Sequence, residues 1–322
     1  MARRKLEDVF AALREVRKDP TSESSLRELR RALQGPSSHG VAKAARIAGE
    51  CEIAAVVPEM LVGFDRFFTE TDPGCSAKAA IAEALYRLGH EDAAPFLRGI
   101  RHVQMEPVFG GQVDTAVDLR GACALGLARM GYRDALLELA DLLADPEPPV
   151  RISAARAIAY RGGEDGAPLL RLKALSGDKE PAVVSECLGA LLRVSSPSVS
   201  FVVGFLRGRG PEVAEAAALA LGESRLPVAF EALRDWSQDV GGTSLERVAL
   251  LALATLRREE AIDHLLSIVR EAVARSASHA VEALAIYRGD EGLRSRVTEA
   301  AEARADPSLS AAVGKAFGPP SS

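Results

Sequence analysis

The chain of 322 residues carries 45 Asp and Glu against 40 Lys and Arg, a net charge of −5. That balance excludes any whole-chain attraction to phosphate backbones or anionic membranes. With 48% hydrophobic but only 5% aromatic residues, the core must be built from Ala and Leu, as in thin layers of stacked helices. The four cysteines, Cys51, Cys75, Cys123 and Cys187, stand singly with no CxxC pair. The stretch MARRKLEDVF lacks the hydrophobic centre of a signal peptide, and no apolar run approaches the length of a membrane span. The expectation is a cytoplasmic protein with reduced thiols and no membrane contact.

In chain order, residues 4–18 and 22–34 read as two polar, basic helices separated by Asp19, Pro20 and Thr21, and residues 1–40 as an N-terminal helical cap. Through Arg46 the chain holds eleven Lys and Arg against six Asp and Glu, a local +5. This face either meets an acidic partner or is a solvated cap. PSSHG at 36–40 predicts a turn, 41–48 a helix ending at Gly49, and 52–69 a longer helix with Pro58 near its start.

From residue 71 the pattern repeats. TDPGCSAKAAIAEALYRLG, DTAVDLRGACALGLARMG and ADPEPPVRISAARAIAYRGG each open on an acidic turn, run at helical spacing and stop at Gly. In the last of these, Asp145 and Pro146 mark the expected helix start, and Val150, Ala154, Ala157 and Ile158 share one face. Each is followed by a second short helix. Later copies lie at 178–195, 209–222, 239–257, 273–289 and 304–318, leaving 319–322 as a flexible tail. Stop positions at 49, 89, 131, 162, 195, 222, 257, 289 and 318 recur 27 to 42 residues apart. Such a period predicts a solenoid, because one half-polar helix pair cannot bury its own apolar stripe.

A cation follows a helix-starting Asp by six residues three times: Asp72 and Lys78, Asp114 and Arg120, Asp145 and Arg151. In a stacked array these can form a structural ladder, each cation reaching a carboxylate in its own or a neighbouring turn. Val184 and Ala216 replace the cation further on, so the ladder is expected to lapse there. This spacing and the two-helix unit resemble HEAT repeats, and the short Ala-rich units look most like the HEAT-like repeats of the phycobilisome lyase class. The resemblance runs from Val41 to Phe317. It implies an all-α fold, a right-handed α-solenoid of about eight two-helix repeats over 41–318, with partners on its concave side. It implies no single activity, since similar arrays serve as scaffolds, lyases, hydroxylases and DNA-repair proteins.

Two irregularities interrupt the array. QMEPVFGGQV, 104–113, reads as a loop inserted between a repeat's two helices. Its residues Pro107, Val108, Phe109, Gly110, Gly111 and Gln112 either contact a partner or fold back to bury Val108 and Phe109. No Lys and Ser or Thr follow the Gly pair, which argues against nucleotide binding. The second irregularity is the lone Trp236, read as packing within an amphipathic helix rather than as a binding hot spot.

No catalytic constellation emerges. His90 and Glu91 form one His-Glu dipeptide, whereas the di-iron hydroxylases built on HEAT-like repeats use several. His39, His102, His264 and His279 are scattered without a carboxylate pattern, and Ser276 and Ser278 lie in turns without a local base. Neither a cofactor nor a metal is expected. The primary expectation is a non-catalytic scaffold or adaptor for a protein partner, bound along the helices that begin at the 72, 114, 145 and 178 turns. One alternative is a lyase-like or modification factor holding a substrate protein. Another is a nucleic-acid-binding array using Arg3, Arg4, Lys5, Arg14, Arg17, Lys18, Arg30 and Arg31, against which the acidic remainder of the chain argues.

Overall fold

The structure is a computed structural model that describes residues 6–304 and 306–318. Arg3, Arg4, Lys5 and the tail at 319–322 lie outside the described residues. The chain divides into two compact units, Met1–Gly162 and Gly163–Ser322. Both are all-α arrays of helix pairs, and the one sheet among the described residues is a two-stranded hairpin in the first unit.

The first unit holds α1 (Leu6–Val16), α2 (Glu23–Leu33), α3 (Ser38–Glu50), α4 (Val57–Arg66), α5 (Ser76–Arg87) and α6 (Ala94–Gly99). The strands β1 (Met105–Val108) and β2 (Gly111–Asp114) come next, then α7 (Val117–Arg129), α8 (Ala135–Leu142) and α9 (Pro148–Arg161). The second unit holds α10 (Ala167–Ser176), α11 (Pro181–Val194), α12 (Val199–Val203), α13 (Pro211–Ser224) and α14 (Ala229–Asp239). It continues through α15 (Glu246–Thr255), α16 (Glu259–Glu271), α17 (Ala274–Leu284), α18 (Glu291–Glu302) and α19 (Pro307–Phe317).

The first helices of successive repeats pack side by side, α3, α5, α7 and α9 in one unit and α11, α13, α15, α17 and α19 in the other. Each second helix covers the next first helix, as α4 does α5 and α6 does α7. Small residues make this possible. Ala44, Ala45 and Ala48 of α3 and Ala77, Ala80 and Ala84 of α5 are buried, so the two helices approach without large side chains between them. Bulk comes from the second helices and their flanks, through Met60, Phe64, Phe67, Phe96 and Trp236, the last only 1% exposed. Full burial of such a side chain contributes roughly 1.5–3 kcal/mol.

Acidic residues ahead of the helices satisfy their free N–H groups. The Asp72 carboxylate accepts from the Ala77 N–H at 2.9 Å and the Lys78 N–H at 3.1 Å, and Asp145 accepts from the Glu147 N–H at 2.9 Å. Three local expectations are corrected. Ser38 to Gly40 belong to α3 rather than to a turn, because Ser37 caps the helix and accepts from the Gly40 N–H at 3.4 Å. The helix of the central repeat begins at Pro148, two residues after Pro146. The insert lies between α6 and α7, hence between successive repeats, and it is a β-hairpin rather than an irregular loop.

Candidate functional site

The six ladder residues lie in the first unit at the starts of α5, α7 and α9, Lys78 paired with Asp72 and Arg120 shared between Asp114 and Asp145. Lys78 and Asp72 are buried, with Nζ 3.0 Å from Oδ2 and donating to the Phe67 carbonyl at 3.0 Å. Arg120, 2% exposed, joins two repeats. Its Nη1 donates to Asp114 Oδ2 at 2.6 Å and to the His102 carbonyl at 2.9 Å, while Nη2 donates to Asp145 Oδ1 at 3.1 Å. Arg151 donates to the Asp145 and Pro146 carbonyls at 2.7 and 2.8 Å. Burial by itself would push the Asp114 carboxyl up, but the Ala116 and Gln104 N–H groups and the Arg120 guanidinium outweigh it and hold it below the usual carboxylate range. The same two carboxylates hold the Arg120 guanidinium above its ordinary value despite burial.

In the second unit Lys173 Nζ lies 2.8 Å from Asp178 Oδ2. Further along, a different cluster ties α15 to α17. Glu246, 4% exposed, accepts from the Ser276 hydroxyl and sits 3.0 Å from His279 Nδ1. Burial raises the Glu246 pKa, but the bonds from Ser276 and His279 more than reverse this and leave it low. Both partners bind the carboxylate, with His279 bonded to Glu246 rather than to Ser276, so the three are not arranged as a serine–histidine–carboxylate relay. Ser276 and Ser278 are in α17, not in a turn. Sequence reasoning missed this cluster; the only trace is that Glu246 and His279 lie 33 residues apart, one repeat period.

An open groove of about 660 Å³ runs across α3, α5, α7 and α9. Its floor is small and apolar, from Gly49, Ala79, Ala80, Gly121, Ala122 and Leu125. Its walls carry both signs of charge, Arg46, Arg87 and Arg129 against Glu50, Glu83 and Asp118. At one end the rings of Tyr86 and Tyr160 meet edge to face at 6.1 Å, with Tyr160 exposed. Arg129 Nη1 donates to the Tyr86 and Arg87 carbonyls at 2.9 and 3.0 Å, finishing α5, and its guanidinium lies 5.6 Å from the Tyr86 ring.

The hairpin places Pro107, Val108, Phe109, Gly110, Gly111 and Gln112 together around its tip, all exposed, with Phe109 at 109% relative exposure. Val108 and Phe109 are therefore not folded back. Gly110 takes φ +88° in the two-residue turn, a conformation that favours glycine. The hairpin base is fastened to the turn before α5. The Glu106 carboxylate accepts from the Gly74 N–H at 2.8 Å, and Gln104 Nε2 donates to the Asp72 carbonyl at 2.7 Å. Gln104 Nε2 also donates to Glu106 Oε1 at 2.6 Å, and this bond, followed by that from the Gly74 N–H, keeps the Glu106 carboxyl below its ordinary range.

The basic N-terminal helices carry paired charges: Arg17 with Glu50 at 2.6 Å, Lys18 with Glu15 at 2.8 Å and Arg30 with Glu59 at 3.1 Å. Among the described residues no group of three or more His, Cys, Asp or Glu side chains is placed to hold a metal ion, and no helix is long and apolar enough to cross a membrane.

Comparison with known proteins gives a family match over residues 112–172, to HEAT repeats. No curated protein shows significant similarity to the chain. Among solved structures, the complex of CpcE and CpcF of phycocyanin lyase from Nostoc sp. PCC7120 is similar at 20% identity and a TM-score of 0.39, over 75% of this chain and 93% of that one. Human deoxyhypusine hydroxylase is similar at 18% identity and 0.32, over 80% and 92%. An engineered protein is similar at 17% identity and 0.38, over 96% and 94%. Likeness at this level carries no argument about what this chain binds or does. The matched segment spans β2 to α10, and helix pairs lie before and after it: the chain carries HEAT repeats over 112–172 within an all-α array.

Proposed function

We propose that this chain is a non-catalytic interaction scaffold that takes a protein partner in the groove of its first unit, with the hairpin at 107–112 as a second contact. The observation that carries the reading is the groove itself. Its floor of Gly and Ala lets a partner segment approach the helix backbones closely, and its walls offer charges of both signs to fix register. The Tyr86, Tyr160 and Arg129 cluster supplies the residue types that dominate binding energy at interfaces.

The test fills the floor. Ala79 and Ala122 are half-buried on α5 and α7, and Ala79→Arg with Ala122→Arg places two long side chains where the partner would lie. Affinity capture from native lysate, with cross-linking and nuclease treatment, should recover a nuclease-resistant protein partner with the wild type and lose it with the double variant at unchanged helicity. Retention of the partner at full yield would refute the groove; a partner that disappears with nuclease would refute the protein-scaffold reading. A contact at the hairpin requires that deletion of 106–111 weaken capture.

A further inference from the structure

We propose that β2 pairs edge to edge with β2 of a second copy of this chain, about a two-fold axis through Gln112. The proposal rests on the reading of the hairpin as a contact and assigns its β2 edge alone to a second copy, leaving the Phe109 tip and the groove for a different protein.

The hydrogen-bond phase of the hairpin decides which backbone groups are available. The register pairs Val108 with Gly111, Pro107 with Gln112, Glu106 with Val113 and Met105 with Asp114. The Thr115 N–H donates to the Gln104 carbonyl at 2.9 Å, one step beyond Met105 and Asp114. In an antiparallel ladder bonded pairs alternate with non-bonded ones, so 104, 106 and 108 bond inward and Met105 and Pro107 point their backbone groups outward. On the other strand the outward residue at the centre is Gln112. The two edges therefore differ. Pro107 has no N–H to offer, so the β1 edge is blocked at its middle, whereas the β2 edge presents both the N–H and the carbonyl of Gln112.

That open edge fits itself. A second β2 laid antiparallel with Gln112 opposite Gln112 exchanges two N–H to carbonyl bonds across the axis. The same register sets Val113 of each copy beside Gly111 of the other. Gly111 leaves open space there, since a Cβ built on it would meet nothing within 4 Å. Val113 can occupy that space, flanked on its far side by Val108, the cross-strand neighbour of Gly111. Gly111, Gln112 and Val113 are exposed and uncharged, so the approaching copy meets no like charge on the edge itself. Val108 and Val113, about half exposed in one copy, become covered in the pair. Glu106 and Gln104 fasten the hairpin base to the Asp72–Gly74 turn, so the edge is presented already formed, without an ordering cost at association.

Sedimentation equilibrium of the full chain from about 5 to 500 µM tests this, a range suited to a small interface of few bonds. The wild type should shift from monomer to dimer mass with rising concentration, and more readily at higher salt, because two copies of net charge −5 repel and salt screens that repulsion. Gln112→Pro removes the central N–H without removing a bond inside the hairpin, and should weaken association by about tenfold or more. Gln112→Thr keeps the N–H and should stay within about threefold of wild type. A wild type that remains monomeric to the highest concentration overturns the proposal, as does a Gln112→Pro chain that dimerises like wild type. If the wild type stays monomeric while deletion of 106–111 still releases a foreign protein, self-pairing fails and the hairpin contact stands. If dimerisation holds while groove-filling variants keep every partner, the groove reading fails and self-pairing stands.

Discussion

Removal of Arg120 isolates the contribution of the ladder. Its guanidinium is buried, bonded to Asp114 of its own turn and Asp145 of the next, and to the His102 carbonyl. Arg120→Ala leaves two largely buried carboxylates facing each other without a cation. Breaking a buried pair in this way costs about 3–5 kcal/mol. The lower end applies here, because Asp114 keeps the N–H groups of Gln104 and Ala116 and Asp145 keeps that of Glu147. For a folding unit of this size, about 3 kcal/mol lowers Tm by roughly 6–12 °C. The pH dependence carries the sign. Asp114 is held below its unfolded value, so its contribution is fully present above about pH 4 and is lost as pH falls through the lowered folded pKa. Arg120→Ala should therefore be most destabilised near neutral pH and converge on wild type in acid. Thermal unfolding by circular dichroism at pH 7 and pH 3.5 reads both effects. An Arg120→Ala chain with wild-type Tm at pH 7, or one whose deficit grows in acid, would refute the reasoning.

Gly222→Ala sets a Cβ 2.5 Å from the Ala252 carbonyl oxygen, backbone that cannot step aside, and should destabilise by about 1–3 kcal/mol despite the helix preference of alanine. Gly189→Ala meets only Arg193 Nη1 at 3.5 Å and should instead stabilise by about 0.5–1 kcal/mol; equal signs in urea unfolding would contradict the packing of α13 on α15. Glu246→Gln loses the charged acceptor of Ser276 and His279 and should cost about 1.5–3 kcal/mol at pH 7. Because the folded pKa of Glu246 is lowered, this deficit should shrink as pH falls below about 4, and a deficit independent of pH would remove the cluster's role. Burial pushes the Cys75 and Cys187 thiols up to about 12, and Cys51 is the one cysteine that is not buried. Titration of the native chain with a thiol reagent should modify Cys51 first and the others only on unfolding.

The repeat was legible because three devices recur in phase ahead of α5, α7 and α9: an acidic residue before the helix, small residues at the helix contacts, and a cation six residues after the Asp. Asp72, Lys78, Asp114 and Arg120 show why spacing locates such groups yet does not assign partners. Arg120 reaches forward to Asp145 of the next repeat as well as back to Asp114, and only the stacking of α7 on α9 supplies that second acceptor. The hairpin was hidden because each strand is four residues long, too short for alternation to stand out from a loop, and contains Pro107 or Gly111, which disfavour strands. Glu246 and His279 sit on different helices, so no local motif joins them. Helix starts slipped by up to three residues, as at Pro148 and at Ser38, the latter because the Ser37 cap rather than apolar periodicity sets the boundary.

The most direct test of the scaffold is a photo-reactive residue placed at Ala122 in the groove, with a control at Leu137, which is exposed on α8 outside it. Irradiation in native lysate should attach one protein partner at position 122 and leave position 137 without it. Attachment at 137 in equal yield, or at neither position while the captured partner is present, would contradict a partner seated on α3, α5, α7 and α9.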